Sequence, residues 1–169
     1  MHIAPGTSSS LSSQSSTMSS AAAGGGREPA WPPTAAALSG SVAALPLLDA
    51  HLGACRRRAR SAALLHLAIG GLPAQGGEAL LTALGRRLRA RVRATDEVLA
   101  LEGDCFAVLL LDADERAAAL VRDRLLRLLA EDYRIGTELL RPQLRIGHAL
   151  AGRDGQRAAE LLQTAASRG

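Results

Sequence analysis

The sequence predicts an α/β fold for residues 45–169, with a central β-sheet flanked by helices, preceded by a disordered N-terminal tail. Short apolar runs of strand length alternate with longer amphipathic segments of helical period. Strands this apolar need cover on their faces, which helices packed on a sheet provide. Composition also changes sharply near residue 45, from Ser, Gly and Pro to Leu, Ala and Arg. These observations together indicate one sheet-and-helix domain.

Residues 1–44 form the predicted tail. They include the runs SSSLSSQSSTMSS and AAAGGG, and residues 1–28 hold almost no apolar mass. Burial could not offset the entropy lost on ordering such a segment. The chain begins without the basic and then apolar segments of a secretory signal, and four prolines interrupt the uncharged stretch 29–48. We therefore expect a cytoplasmic protein without a membrane span.

The first two elements of the domain are predicted to be a helix and a buried strand. LPLLDAHLGACRRRARS places five residues on one face at helical spacing: Leu47, Leu48, His51, Leu52 and Cys55. We expect its arginines, Arg56–Arg58 with Arg60, to be a solvated helix end, with an acidic partner protein as the alternative. SAALLHLAI is continuously apolar and is followed by two glycines, which is typical of a strand buried on both faces. His66, within that strand, is predicted to be a core histidine.

The middle of the domain predicts a helix, a hairpin and a second helix. GGEALLTALGRRLRARVRA turns leucines inward and arginines outward. EVLAL and CFAVLLL are two strands joined at residues 102–104, where a glycine inside an acidic triplet favours a turn. DADERAAALVRDRLLRLLAEDY is amphipathic, with Asp112 or Asp114 as its N-cap.

The last two elements are predicted to be a strand and a short helix. ELLRPQLRIGHALA has strand character, although Pro142 cannot donate a ladder hydrogen bond and so places the beginning of the strand at a sheet edge. His148 in this strand is expected to face a helix. AELLQTAA closes the chain as a helix, which gives the order helix, strand, helix, hairpin, helix, strand, helix.

Composition excludes several classes of function. All 20 basic residues are arginines, which suit phosphate and guanine recognition, and the formal charge is +4. No DNA- or RNA-binding module is recognisable, so we expect no nucleic-acid partner. Trp31, Phe106 and Tyr133 are too few aromatic residues for platforms that stack single-stranded bases. Cys55 and Cys105 lack CxxC or HExxH partners and are expected to be reduced thiols.

From Glu78 to Phe106, the helix, an Arg-x-x-Asp pair and the hairpin resemble a bacterial GGDEF domain, the diguanylate cyclase module that joins two GTP molecules into cyclic di-GMP. LLHLAIGGL is similar to the family's first strand, and LRIGHALA, with Ile146 and Gly147, to a later one. The resemblance implies a truncated GGDEF-like domain over residues 45–169, with a mixed five-stranded sheet flanked by helices, as in adenylyl cyclases. The residues in place of the GGDEF signature are Glu102, Gly103, Asp104, Cys105 and Phe106.

The same resemblance implies that the catalytic chemistry is lost. The family's first-strand aspartates fall at Ala68 and Gly70, which cannot ligate a metal. Glu102 would crowd the nucleotide, Cys105 replaces the second metal-binding acid, and Asp104 alone remains of the catalytic carboxylates. The segment that holds the family's guanine-binding Asn and Asp is shorter here. Two Mg²⁺ ions need several oxygen ligands, so we expect neither a Mg²⁺ cofactor nor catalysis.

A second pattern of the family is retained. Many members carry an allosteric product site whose Arg-x-x-Asp ends six positions before the signature, and Arg93-Ala94-Thr95-Asp96 stands in that register. Arg124 falls where the family places a further arginine on the next helix. Residues three apart at a helix end project to the same side. An Arg fork can pair with guanine O6 and N7 or a phosphate, and an Asp can accept from guanine N–H groups. We predict that Arg93, Asp96 and Arg124 bind cyclic di-GMP.

Three functions remain open from the sequence. The first, which we expect, is a catalytically inactive GGDEF-like domain that acts as a cyclic di-GMP receptor in bacterial signalling. The second is a protein-interaction scaffold that has lost nucleotide binding and acts on a protein partner or as a homodimer, in which case the Arg-x-x-Asp pair is solvated surface charge. The third is residual diguanylate cyclase activity.

Overall fold

A computed structural model describes residues 45–169, so the predicted tail, residues 1–44, lies outside the described residues. The α/β class, with a central sheet flanked by helices, is confirmed. Within residues 45–169, no helix is both long and apolar enough to cross a lipid bilayer. The elements in chain order are α1 (Leu45–Arg57), β1 (Ala62–Gly70), α2 (Gly77–Arg89), β2 (Glu97–Leu101), β3 (Cys105–Leu111), α3 (Glu115–Leu129), β4 (Tyr133–Ile135), β5 (Glu138–Leu140), β6 (Gln143–Leu150) and α4 (Ala158–Ser167).

The central sheet has four strands in the order β2-β3-β1-β6. Its neighbouring strands are antiparallel at every pairing within the described residues, which differs from the mixed five-stranded sheet that the resemblance implied. β1 lies in the interior of the sheet and pairs with β3 on one side and β6 on the other. All nine of its residues are buried, as the continuous apolar run predicted.

Each face of the sheet carries a hydrophobic core. α2 and α3 cover one face, where Leu84 and Leu125 are fully buried. α1 and α4 cover the other face, where Leu48 and Leu161 are fully buried. Leu47, which was expected on the same face of α1 as Leu48, is instead 44% exposed. Successive strand residues point to opposite faces, so Leu64 belongs to the α1–α4 core and Leu65 to the α2–α3 core. The leucine-rich composition therefore fills two packed layers.

The prediction for residues 130–142 was wrong in two details. α3 ends at Leu129, whereas the predicted helix ran to Tyr133. Tyr133 opens β4 instead, and its buried hydroxyl donates to the Leu129 carbonyl at 3.1 Å. The predicted strand from Glu138 is also divided: β5 pairs with β4, and β6 pairs with β1. The break falls at Pro142, which has no N–H to continue a ladder.

α4 docks on β6 at Gly147, where the two backbones approach closely. A Cβ at Gly147 would lie 1.9 Å from the carbonyl oxygen of Ala165, so a side chain there would displace the helix. His148 places its Nε2 3.1 Å from a carboxylate oxygen of Glu115 at the start of α3, and thus faces a helix as predicted. His66 is 2% exposed within β1, which agrees with its prediction as a core histidine.

Candidate functional site

The loop between α2 and β2 carries the predicted Arg-x-x-Asp pair. The sequence predicts Arg93 and Asp96 at a helix end. α2 ends earlier, at Arg89, so both residues lie in the loop that follows it. Arg93 is exposed, whereas Asp96 is only 4% exposed. The two residues therefore have different surroundings although they are three positions apart.

The Asp96 carboxylate fastens the loop to the sheet. One of its oxygens accepts a hydrogen bond from the backbone N–H of Arg93 at 3.0 Å, and the other accepts from the backbone N–H of Leu111, at the end of β3, at 3.2 Å. A buried carboxylate requires partners of this kind. Asp96 thus fixes both the shape of the loop and its distance from β3.

Arg89 holds the same loop through its carbonyl groups, a role that the sequence did not reveal. Its guanidinium donates to the carbonyls of Arg93 at 3.3 Å, Ala94 at 3.0 Å and Asp96. Arg89 stands four residues before Arg93, a spacing that would suit one helix face. Because the segment leaves the helix after Arg89, this arginine instead folds over the loop that follows it.

Arg124 reaches the loop from α3. Its side chain is exposed, and Nη2 donates to the carbonyl of Arg91 at 2.8 Å. The next residue, Leu125, is fully buried and Val121 is partly buried. Arg124 therefore lies beside the apolar stripe of α3, as predicted, and spans the gap between α3 and the loop.

A cavity of about 250 Å³ lies between this loop, the end of β3 and α3. Its charged lining consists of Arg91, Arg93, Asp96, Asp112 and Arg124. All three residues predicted to bind ligand line it, so the structure brings them together. Three arginines against two carboxylates give the lining an excess of positive charge, and Arg forks pair well with phosphates and with purine edges. The cavity is suited in chemistry to an anionic ligand with planar bases.

Asp112, the first residue after β3, is a member of the cavity that the sequence did not indicate as a ligand residue. It adopts a left-handed backbone conformation with φ of 53°, and its carboxylate accepts from Nε and Nη2 of Arg60. Asp114, and not Asp112, caps α3, because its carboxylate accepts from the N–H of Ala117 at 2.8 Å. Asp112 is thus free of the capping role, and it lines the cavity.

The signature turn lies at the opposite end of β3. Gly103 and Asp104 both have positive φ, 73° and 60°. The register of β1 against β3 places Ala68 directly opposite Cys105. Burial and the nearby Asp104 charge raise the pKa of the Cys105 thiol to about 11, so the thiol is protonated at neutral pH. It donates to the Gly103 carbonyl at 3.2 Å.

These residues do not fit a pair of magnesium ions. Mg²⁺ prefers oxygen ligands in an octahedral arrangement. Ala68 and Gly70 offer no side-chain ligand, and Cys105 offers a protonated sulfur. In the part of the chain from residue 45 onward, no group of three or more His, Cys, Asp or Glu side chains could hold a metal ion. Asp104 and the exposed Glu102 are the acids left at the turn.

A match to a protein-family model identifies the family of this chain. The family model described as diguanylate cyclase, GGDEF domain, matches residues 74–168, which is more than half of the chain. The chain belongs to the GGDEF family. The matched segment contains the loop, the signature turn and the cavity described above, and the family predicted from the sequence is confirmed.

One curated relative of this GGDEF chain is the bifunctional diguanylate cyclase/cyclic di-GMP phosphodiesterase MucR of Pseudomonas aeruginosa. The two are 40% identical over 87 residues, which is 51% of this chain but 13% of MucR. The chain therefore spans a small part of the length of that relative. The similarity concerns one module of a larger protein.

Solved GGDEF structures share the fold. A sensory box/GGDEF family protein from Caulobacter crescentus is 27% identical with a TM-score of 0.64, over 70% of this chain and 81% of that one. The GGDEF domain of TpbB (YfiN) from Pseudomonas aeruginosa is 26% identical with a TM-score of 0.64, over 71% and 75%. An EAL/GGDEF domain protein from M. capsulatus is 30% identical with a TM-score of 0.61, over 71% and 81%.

Proposed function

We propose that this chain is a catalytically inactive GGDEF domain that binds cyclic di-GMP in the cavity between the α2–β2 loop and α3, and so acts as a signalling receptor. The observation that carries the proposal is the shared lining of that cavity. The family resemblance assigns Arg93, Asp96 and Arg124 to ligand binding, and these residues come from two separate elements to line one space.

The chemistry of the cavity supports this ligand. Cyclic di-GMP carries two phosphates and two guanines, and an Arg fork can pair with either group. Arg93 is exposed at the cavity, and the loop that carries it is already held by Arg89 and Asp96. A prearranged loop lowers the entropy lost on binding. Arg93 and Arg124 can therefore contact a ligand without prior folding of the loop.

Inactivity is proposed from the donor set at the signature turn. The family resemblance implies metal-binding carboxylates on both β1 and the hairpin, and β1 carries Ala68 and Gly70 at these positions. Transfer chemistry with two metal ions needs such ligands. We expect no cyclic di-GMP when the chain is incubated with GTP and Mg²⁺ and the products are separated by chromatography. Steady formation of cyclic di-GMP would contradict inactivity, without bearing on binding in the cavity.

Isothermal titration with cyclic di-GMP tests the binding proposal. We expect a Kd below about 100 μM for the natural sequence. Arg93→Ala removes a fork worth about 1–3 kcal/mol, so affinity should fall by about 5-fold to 150-fold. Arg127→Ala is the matched control, because Arg127 is exposed on α3 and lies outside the cavity lining. Equal binding by the Arg93→Ala variant and the natural sequence would exclude the proposed site.

A protein-interaction scaffold is the second candidate. Leu120 and Leu139 are 63% and 62% exposed, and a partner protein or a second copy of the chain that covered them would remove apolar surface from water. The diguanylate cyclase SiaD of Pseudomonas aeruginosa was crystallised with its activator SiaC, so a protein with this fold can carry a partner. A scaffold, acting on a partner or as a homodimer, predicts no heat with cyclic di-GMP, and the titration therefore separates the two candidates.

A further inference from the structure

We propose that the outer edge of β6 is a dimer interface, at which two copies of this chain pair their β6 strands antiparallel and join their sheets into one. The proposal is independent of ligand binding, because no residue of β6 lines the cavity. It goes beyond the proposed function by naming an interaction surface and the partner that fits it.

β6 is an edge strand whose two faces are covered but whose outer backbone is open. Within residues 45–169, it pairs with β1 on one side and stands last in the sheet order β2-β3-β1-β6. α3 and α4 pack on it, and Ile146 and His148 are only 4% and 7% exposed. The strand therefore still offers a row of main-chain N–H and C=O groups, which is a template for another strand.

The hydrogen bonds of the sheet identify the main-chain groups that point outward. The N–H of Ala151, directly after β6, donates to the carbonyl of Ala62 in β1 at 2.9 Å. In an antiparallel strand, the N–H and C=O of one residue point the same way, and the direction alternates along the chain. Odd-numbered residues of β6 therefore face β1. The residues whose N–H and C=O groups point to the outer edge are Leu144, Ile146 and His148.

Both ends of this outer edge are blocked. Before it, Pro142 has no N–H with which to extend a ladder. After it, both outward groups of Leu150 are occupied, because its N–H donates to the Asp154 carboxylate at 2.7 Å and its carbonyl accepts from the Asp154 N–H at 2.9 Å. The part that remains, residues 144–148, is an open window centred on Ile146.

A second copy of the same strand fits the open window. Antiparallel pairing about a two-fold axis at Ile146 sets this residue against its own counterpart, and Leu144 against His148 of the second copy. Every outward N–H of the window then meets a carbonyl. The His148 carbonyl accepts from Arg168 at 3.4 Å, and its second lone pair serves the new bond. A window that is complementary to itself is what a two-fold dimer requires.

The open window also lacks the features by which edge strands avoid such pairing. Residues 144–148 contain neither proline nor lysine, and Arg145 is their one arginine. In the two-fold register, Arg145 lies opposite Gly147 of the second copy and not opposite its own counterpart. Like charges are therefore not placed directly against each other across the interface.

Sedimentation of the 169-residue chain at several concentrations tests the interface. We expect a dimer at protein concentrations of about 100 μM. Leu144→Pro removes an outward N–H and leaves the ladder to β1 intact, so the Kd of its dimer should rise at least about tenfold. Leu144→Ala is the matched control, because it shortens the same half-buried side chain but keeps the N–H. It should remain dimeric.

Hydrogen exchange of single amides gives a second measurement that needs no variant. The outward amide of Ile146 should be protected more at high than at low protein concentration, whereas the amide of Gly147, which faces β1, should be protected at every concentration. A monomer at all concentrations overturns the proposal. If that monomer also protects the Ile146 amide, a segment of the chain itself covers the edge. Equal dimerisation by Leu144→Pro and the natural sequence likewise overturns the proposal, because the interface then lies elsewhere.

Discussion

At the scale of single residues, the buried polar side chains carry specific roles. Asp96 joins the α2–β2 loop to β3 through two backbone N–H groups. The Asp154 carboxylate, after β6, accepts from Arg168 at 3.0 Å, from Arg153 at 3.0 Å and from the N–H of Leu150 at 2.7 Å. These bonds hold the pKa of its carboxyl well below the usual range. His66 differs from these carboxylates, because its burial disfavours the protonated form and so lowers the stability of the fold at acidic pH.

Because of His66, the domain should be less stable at mildly acidic pH than at neutral pH. Burial lowers the pKa of His66 from 6.5 to about 4. On acidification, His66 is therefore protonated near pH 6.5 in the unfolded chain but only near pH 4 in the folded chain. The free energy of unfolding therefore falls as pH falls through this window, by about 2 kcal/mol from His66 between pH 7 and pH 5. Urea unfolding at the two pH values measures it.

The control for this prediction is His66→Gln, which removes the titrating group and keeps a polar side chain. Its free energy of unfolding should vary less between pH 7 and pH 5 than that of the natural sequence. The same pH dependence in both proteins would show that His66 is not the responsible group.

At the scale of elements, the docking of α4 on β6 depends on the lack of a side chain at Gly147. In Gly147→Ala, the new Cβ would meet the Ala165 carbonyl at 1.9 Å and the Gly169 nitrogen at 2.7 Å. We expect a loss of roughly 3 kcal/mol or more in the free energy of unfolding, measured in urea, because the helix must move away from the sheet.

Gly77→Ala is the matched control for the helix-docking prediction. A Cβ at Gly77 would lie 3.5 Å from that of Leu72, an ordinary contact, and Gly77 is the first residue of α2. This variant should be as stable as the natural sequence or slightly more so. If the two variants have equal stabilities, close packing at Gly147 does not determine how α4 docks.

The elements that could be predicted from the sequence are those with a strong apolar pattern. β1 is an uninterrupted apolar run because both of its faces are buried, and α2 and α3 show the helical period of one buried face. The β4–β5 hairpin was missed because each strand has three residues, and Arg134 and Glu138 are exposed. The end of α2 was misplaced because Val92 packs on the core from the loop, which continues the apolar pattern beyond Arg89.

The candidate site could also be predicted only in part from the sequence. Arg93, Asp96 and Arg124 follow a spacing that the family resemblance supplies, and the fold does bring them to one cavity. Arg89 and Asp112 could not be found in this way. Arg89 donates to three backbone carbonyls, and Asp112 lines the cavity from a position of positive φ after β3. Neither feature has a sequence signal.

At the scale of the whole molecule, the cavity joins parts of the chain that are distant in sequence. It is bordered by the α2–β2 loop, β3 and α3, and Asp112 connects it through Arg60 to the segment between α1 and β1. A ligand that binds only the folded chain stabilises it by mass action. Binding in this cavity would therefore act on several elements at once, as a receptor requires.

The measurement that tests the central claim most directly is isothermal titration of the chain with cyclic di-GMP. The proposed receptor predicts saturable binding with a Kd below about 100 μM, lost or reduced about tenfold in Arg93→Ala and retained in Arg127→Ala. No heat of binding at ligand concentrations well above 100 μM, with the protein folded, would contradict the receptor function and favour the scaffold.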